Sequence, residues 1–314
     1  MAPAIALTPS PDIELMRLAL RSSTLSHGLR VRGDRWTAEI LMGAFMGLRK
    51  FEDWNSLLGI SRATLTKRLQ QLLAMGLLQK RPYQERPQRH GYHLTQAGLK
   101  LYDQVLMIWM WERRWGSHAD VLPSQLFHKT CGHAFVPVLT CSACDAKAGM
   151  NDLHFTLKPV TALLDDQAES TRSARVETLQ SNSKGLGMRV DRWTLLIVTA
   201  VVLGCHHFDQ IGHVLGIASS VLARRLSAMV DEGLLLAQPD LKDARRFIYR
   251  LTPASRDLFG YLVCFSTWAS RDFLHQPSSI RPVHKACGKP FVPRVTCSAC
   301  LAPPLPWQVS FHAH

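Results

Sequence analysis

The chain is written twice. Asp34-Arg35-Trp36-Thr37 recurs as Asp191-Arg192-Trp193-Thr194, an offset of 157 that also carries Phe51 to Phe208, Leu58-Gly59-Ile60 to Leu215-Gly216-Ile217, Arg68-Leu69 to Arg225-Leu226, and Leu94-Thr95 to Leu251-Thr252. One residue is lost further on, so that CGHAFVPVLTCSAC (Cys131 to Cys144) matches CGKPFVPRVTCSAC (Cys287 to Cys300) at offset 156. A period this long means a duplicated domain rather than a solenoid unit. One fold must therefore satisfy both halves, and 314 residues suffice for two ordinary cores. The expected division is 1–157 for the first domain with its tail, 158–183 for a polar, Ser-rich linker, and 184–314 for the second domain with its tail.

Composition bounds the class. Lys and Arg number 37 against 24 Asp and Glu, a net charge of +13, which points to a polyanionic partner or at least a basic surface. The longest apolar run, Trp193 to Cys205, is 13 residues and falls short of the roughly 20 that span a bilayer, so it predicts a buried helix. The N-terminus has no basic start and no long apolar segment, so no secretory signal is read and a cytoplasmic location is expected. With eight Cys and 14 His, that setting favours reduced thiols and metal over disulfides.

Within copy one, Trp36 to Gly47 predicts a buried helix, and Phe51 to Leu58 a short second one. Gly59-Ile60-Ser61 then makes a turn whose Ser can cap the next helix. From Ser61 to Ala74 the leucines at 65, 69, 72 and 73 fall on one helix face. Leu77 to Lys80 and Tyr92 to Thr95 predict two short strands flanking a basic, Pro-rich loop, Arg81 to Gly91. A long helix, Gln96 to Trp115, closes the unit, and copy two repeats the order. The expected fold is mainly α with small β-hairpin wings. It is a tandem of winged helix-turn-helix domains, each followed by a small zinc-ribbon-like Cys/His tail.

The face opposite the leucines carries Ala63, Thr64, Lys67 and Gln71, with Arg62 at its start and Arg68 flanking. A helix-turn-helix lays this face in the major groove, N-terminal residues nearest the base edges. The hairpin loop offers Arg81, Arg86, Gln88 and Arg89 to phosphates or a minor groove. From Ile60 to Thr95 seven Lys or Arg face one acid, a net +6, where a merely solvated face would mix signs. The matching face of copy two is Ser220, Val221, Arg224 and Ala228, with Ser219 at its start and Arg225 flanking, and its loop has Lys242, Arg245 and Arg246. Its net charge from Ile217 to Thr252 is only +2, so retention for packing alone competes more strongly there.

These residues resemble the HxlR-type winged-helix family of bacterial transcription regulators. The likeness lies in DRWT opening the first core helix and Phe51 entering the second. It continues in the Gly59–Leu77 run, the hairpin ending Tyr92-His-Leu-Thr, and the closing helix with Trp109, Trp111 and Trp115. The resemblance implies sequence-specific binding to promoter DNA, usually by homodimers of single-domain subunits. This chain departs in three ways. Both domains sit in one polypeptide, so a monomeric pseudo-dimer competes with a further homodimer. A Cys-rich tail follows each domain. The N-terminal thiol of redox-sensing members is missing, since the first cysteine is Cys131.

Each tail has His-x2-Cys, nine residues, then Cys-x2-Cys. The expected ligand sets are His128, Cys131, Cys141 and Cys144 in one copy, and His284, Cys287, Cys297 and Cys300 in the other. Three thiolates and one imidazole suit Zn²⁺ in a closed structural site, so two zinc ions are expected. His133 aligns with Lys289 and drops out. Three thiols cannot all pair internally, which weighs against disulfides; redox-active thiols and unmetallated cysteines stay open. Cys205 and Cys264 lie in apolar runs and read as buried small hydrophobes. The tryptophans of the closing helix suit the core or a subunit contact, with an effector pocket as the alternative. A thiol-dependent enzyme is the rival class, but no triad, P-loop, HExxH or GxSxG pattern is present, so no enzyme is expected. A protein-interaction module on the same scaffold is the second rival.

Overall fold

The computed structural model describes residues 12–32, 35–116, 122–164, 191–243 and 245–312. Two helices, α1 (Ile13–Arg21) and α2 (Thr24–Arg32), precede the first winged helix. That unit is α3 (Arg35–Phe45), α4 (Phe51–Leu58), α5 (Arg62–Ala74), the hairpin β1 (Leu78–Gln84) and β2 (Arg89–Leu94), then α6 (Gln96–Leu99) and α7 (Tyr102–Trp115). Its tail holds β3 (Gln125–His128), β4 (His133–Phe135), β5 (Pro137–Cys141) and β6 (Leu153–Leu157). The second unit repeats the plan with α8 (Arg192–Val202), α9 (Phe208–Leu215), α10 (Ser219–Asp231), β7 (Leu235–Pro239), β8 (Phe247–Leu251), α11 (Pro253–Asp257) and α12 (Phe259–Trp268). Its tail has β9 (Ile280–His284), β10 (Pro293–Cys297) and β11 (Val309–His312). No described helix is long and apolar enough to cross a membrane.

Local chemistry sets the helix boundaries. Gly59 and Gly216 end α4 and α9 in the left-handed region, with φ of 59° and 61°, where a side chain would be strained. Ser61 then accepts the Thr64 N–H at 3.2 Å and caps α5. Leu65, Leu69 and Leu72 are buried on the inner face of α5, and buried Trp54 of α4 donates its indole N–H to the Ile40 carbonyl at 3.1 Å. Two expectations shift. The wing strands run further than the hydrophobic pattern suggested, since Arg81 pairs with Gly91 and Gln84 with Arg89, so Arg81 and Arg89 lie on strands. The long closing helix is broken between Leu99 and Tyr102. Thr95 caps the short α6 by accepting from Gly98, and a Cβ on Gly98 would run into the Leu77 carbonyl.

The halves are joined along α7 and α12. Trp111 donates to the Ala254 carbonyl at 2.7 Å, Trp115 to Asp257 at 2.8 Å, and Lys100 pairs with Asp272 at 2.8 Å. The tryptophans are thus contacts between the copies, except Trp109, whose indole donates to Pro123 within its own half. α1 leaves its own unit and packs on α9, with Cys205 donating to the Met16 sulfur at 3.5 Å and His213 beside Glu14 at 3.3 Å. Burial pushes the Cys205 thiol up to about 11 and Cys264 well above its usual range, so both are the inert core residues expected.

The tails exchange strands. β5 pairs with β10, β6 with β9 and β11 with β3, all antiparallel, so every described tail sheet mixes the two copies. Lys158 to Leu164, the start of the expected linker, is held by Lys158 N–H to Ser279 and Val160 N–H to Ser22, with Leu163 buried. The rest of that linker, from 165 to 183, lies outside the described residues.

Candidate functional site

Two kinds of site need building: the exposed helix faces and the Cys/His clusters. On α5, Arg62, Ala63, Lys67 and Gln71 are exposed and Thr64 is half-buried. Lys67 makes no ion pair among the described residues. Arg62 does: it lies over the Phe51 ring at 4.9 Å and pairs with Glu52 at 2.8 Å, which holds that carboxyl below its usual range. The Thr64 hydroxyl meets Ser61 Oγ at 2.8 Å, so it belongs partly to the cap, and half-buried Arg68 donates to Gln71 at 2.9 Å. On the wing, Arg81, Arg86, Gln88 and Arg89 are all exposed, and Lys50 lies over the Tyr83 ring at 5.3 Å. Tyr83 and Lys50 extend the basic wing in a way the charge count alone did not single out.

Copy two presents Ser219, Ser220 and Arg224 exposed on α10, with Val221 half-buried. Arg225 is a correction. It is buried and donates to Asp191 at 2.8 Å, while Asp191 also caps α8 through the Trp193 and Thr194 N–H groups. It ties the helix to the core and presents nothing to a groove. Lys242 is exposed, but Arg245 turns onto Asp243 at 3.1 Å and Arg246 onto Asp209 at 2.8 Å. Such solvent-screened pairs are weak, so a phosphate can exchange with either carboxylate. The sequence signal for the buried pair was there: Asp34 and Arg68 stand at the same separation as Asp191 and Arg225.

The expected metal ligands all come together, but in different sets. His128 and Cys131 meet Cys297 and Cys300, while Cys141 and Cys144 meet His284 and Cys287; within each set the ligand atoms lie within 4.8 Å of one another. The within-copy grouping is therefore wrong, because the strands that carry the two halves of each set pair across the copies. His128 Nδ1 is 3.6 Å from Cys131 Sγ and 3.3 Å from Cys300 Sγ, and Cys131 Sγ is 4.0 Å from Cys297 Sγ. In the other set His284 Nδ1 is 3.4 Å from Cys287 Sγ and 3.3 Å from Cys144 Sγ. A tetrahedral ion with bonds of about 2.0 Å to nitrogen and 2.3 Å to sulfur has edges of roughly 3.5–3.8 Å, so both sets fit one.

The backbone shapes both halves of each site. Gly132 and Gly288 follow the first cysteine with φ of 73° and 67°, and their N–H groups close turns onto His128 and His284 at 2.8 Å. Asp145 and Leu301 N–H do the same onto Cys141 and Cys297 at 2.8 and 2.9 Å. The Lys289 N–H pulls the Cys287 thiol down to about 7, and the Ala302 N–H lowers Cys300, both toward the thiolate a metal needs. Burial raises Cys297. Each imidazole is buried and held by a ring, His128 by Phe135 and His284 by Phe291. His133 is exposed and belongs to neither set.

The HxlR-like helix-turn-helix family model matches residues 31–120 and 189–277, more than half of the chain and once per copy. The chain belongs to the HxlR-like helix-turn-helix family. Its curated relatives include uncharacterised HTH-type transcriptional regulators of Mycobacterium tuberculosis and Mycobacterium bovis. Each is 37% identical over 121 residues, spanning 38% of this chain and 77% of the relative. A solved Pseudomonas aeruginosa protein, described as a candidate transcription factor, is 27% identical with a TM-score of 0.29, over 40% of this chain and 84% of that one. Within the HxlR-like segments fall α3 to α7 and α8 to α12. The described tail strands and all eight metal-ligand candidates lie outside the matched segments.

Proposed function

We propose that this chain is a sequence-specific DNA-binding transcription regulator that carries two winged-helix readers in one polypeptide. The observation that carries the reading is the pair of exposed helix faces. Arg62, Ala63, Thr64, Lys67 and Gln71 lie on α5, and Ser219, Ser220, Val221 and Arg224 on α10, each beside a basic wing. The HxlR-like membership and the relatives named as transcriptional regulators support it. In this reading the N-terminal turns of α5 and α10 enter successive major grooves of promoter DNA, and the wings hold phosphates. The pseudo-two-fold dimer is internal, with domains 1–157 and 184–314 about the linker 158–183.

The readers differ, so the operator is asymmetric. Lys67 of copy one is replaced by Arg224, which can bond a guanine edge in bidentate fashion where Lys is nearer a point charge. Thr64 is replaced by Val221, which offers only methyls, suited to thymine. Copy one holds phosphates harder through Arg81, Arg86 and Arg89, because Arg245 and Arg246 of copy two first have to leave Asp243 and Asp209.

Zinc is the ion we assign to both clusters, as a structural, four-coordinate metal with no open position. In this reading the ions have no catalytic position, the chain is not an enzyme, and it acts in the cytoplasm. Gel shift at increasing salt tests the regulator reading. A steep, sequence-dependent loss of binding is expected. Weak, sequence-independent binding at every salt would instead mean an interaction module.

A further inference from the structure

Both metal sites are composite. One joins His128 and Cys131 of the first copy to Cys297 and Cys300 of the second; the other joins Cys141 and Cys144 to His284 and Cys287. They lie at opposite ends of the β5–β10 ribbon, where Cys141 pairs with Pro293 and Cys297 with Pro137. Four residues of strand separate them, about 14 Å at ~3.4 Å per residue, too far for one binuclear centre. Between them the ribbon lies against α7 and α12, the helices onto which α6 and α11 hand the two wings.

The tail strands are only three to five residues long, and each described pairing other than β3–β4 crosses between copies. Two-stranded pairs of this length are marginal in water, and units of this size hold together through metals or disulfides. The eight cysteines are free thiols. Ion binding can thus fasten the tails, and through them add to the α7–α12 contact that joins the two halves. Each reading helix has buried residues of its own, Leu65, Leu69 and Leu72 on α5 and Leu222, Leu226 and Met229 on α10.

We propose that operator binding by this chain is metal-gated: Zn²⁺, or another thiolate-preferring divalent ion, in the two composite sites fixes the spacing of the readers and so permits both half-sites to be held at once. This rests on the DNA-binding reading above. Once one head is bound the second contact is intramolecular; fixed spacing raises its effective concentration, and a loosened clamp lowers it while leaving each half-site contact intact. Cys144 and Cys300 are exposed, so a chelator in solvent can reach both ions.

The test uses the full chain purified under reducing conditions, with bound metal counted, and a duplex it selects from a random library. Affinity is measured for that duplex and for each half-site alone, in loaded, chelator-stripped and Zn²⁺-reloaded protein. Stripping is expected to weaken the full duplex by at least about 30-fold and each half-site by less than about threefold, with Zn²⁺ restoring both-headed binding. Unchanged affinity in protein verified as metal-free, or equal losses on half and full sites, would overturn the gating. Failure of the loaded chain to select any duplex would instead sink the regulator reading. A second measurement is independent of DNA. Cys131→Ser with Cys297→Ser should leave one ion per chain, and Cys131→Ser with Cys141→Ser should leave none; the reverse pattern would overturn the proposal outright.

Discussion

Leu139 and Val295, the same position in the two copies, face each other at the centre of the β5–β10 ribbon. Thr140 pairs with Arg294 and Val138 with Thr296 on either side, each reciprocally related by the repeat. The pseudo-two-fold axis of the chain therefore passes between Leu139 and Val295. The same reciprocity pairs Leu153 with His284 and Val309 with His128. The exchange of tail strands is thus a complete two-fold relationship, with one metal position on each side of the axis.

Beside that axis the symmetry breaks at Asp103. Its repeat mate is Gly260, where a Cβ would run into Met107 Cε; the mate of Met107 is Cys264. A small residue thus faces a long one on one side, and a carboxyl lies near a thiol on the other. Burial pushes the Asp103 carboxyl up from 3.8 to about 6, against the lowering effect of the Val295 N–H that points at it. A raised carboxyl favours the fold below pH ~4 and loses that contribution as pH rises through about 6, by up to roughly 3 kcal/mol. Asp103→Asn keeps an oxygen for Val295 and has no charge to bury. Its urea midpoint should exceed wild type at pH 7.5, keep roughly half of that advantage near pH 5 and lose nearly all of it below pH ~4; a constant difference across this range would contradict the burial of a charge at Asp103.

Arg224 and Arg225 are neighbours in sequence with opposite duties. Removing Arg225 leaves half-buried Asp191 without its guanidinium, and losing such a part-buried, hydrogen-bonded pair costs roughly 1–3 kcal/mol. Arg225→Ala should therefore lower thermal stability markedly. Arg224→Ala should leave stability within about 0.5 kcal/mol and relax one half-site by roughly 1–3 kcal/mol. Melting curves and selected-site binding on the two variants separate the roles, and similar melting losses would refute the division.

For the wing of copy one we expect a purely electrostatic effect. Arg86→Ala with Arg89→Ala should weaken all duplexes alike and reduce the salt slope by up to about 1.8, two phosphates at ~0.9 each. A change in base preference with an unchanged slope would mean that these side chains read bases.

The winged helices were legible because their signals are local. Gly59, Ser61 and the leucine spacing set α5 without reference to anything distant, and the bounds of α4 follow from Phe51 and Gly59. The metal-ligand candidates were legible as residue types. Their partners were not, because a duplicated chain has two identical answers. His128-x2-Cys131 can meet Cys141-x2-Cys144 or its copy Cys297-x2-Cys300, and spacing is the same in kind for both. Only the register of β5 on β10 decides. Arg225 misled for a similar reason: its position beside Arg224 looked like a flank of the reading face, while its partner lies 34 residues away in sequence.

In the DNA-binding reading proposed above, one chain suffices to read a two-part operator. Native mass spectrometry of the complex with the selected duplex measures this directly. One 35.3 kDa chain per duplex is expected, with footprints on two unlike half-sites about one helical turn apart. Two chains on a duplex carrying a perfect palindrome would contradict it.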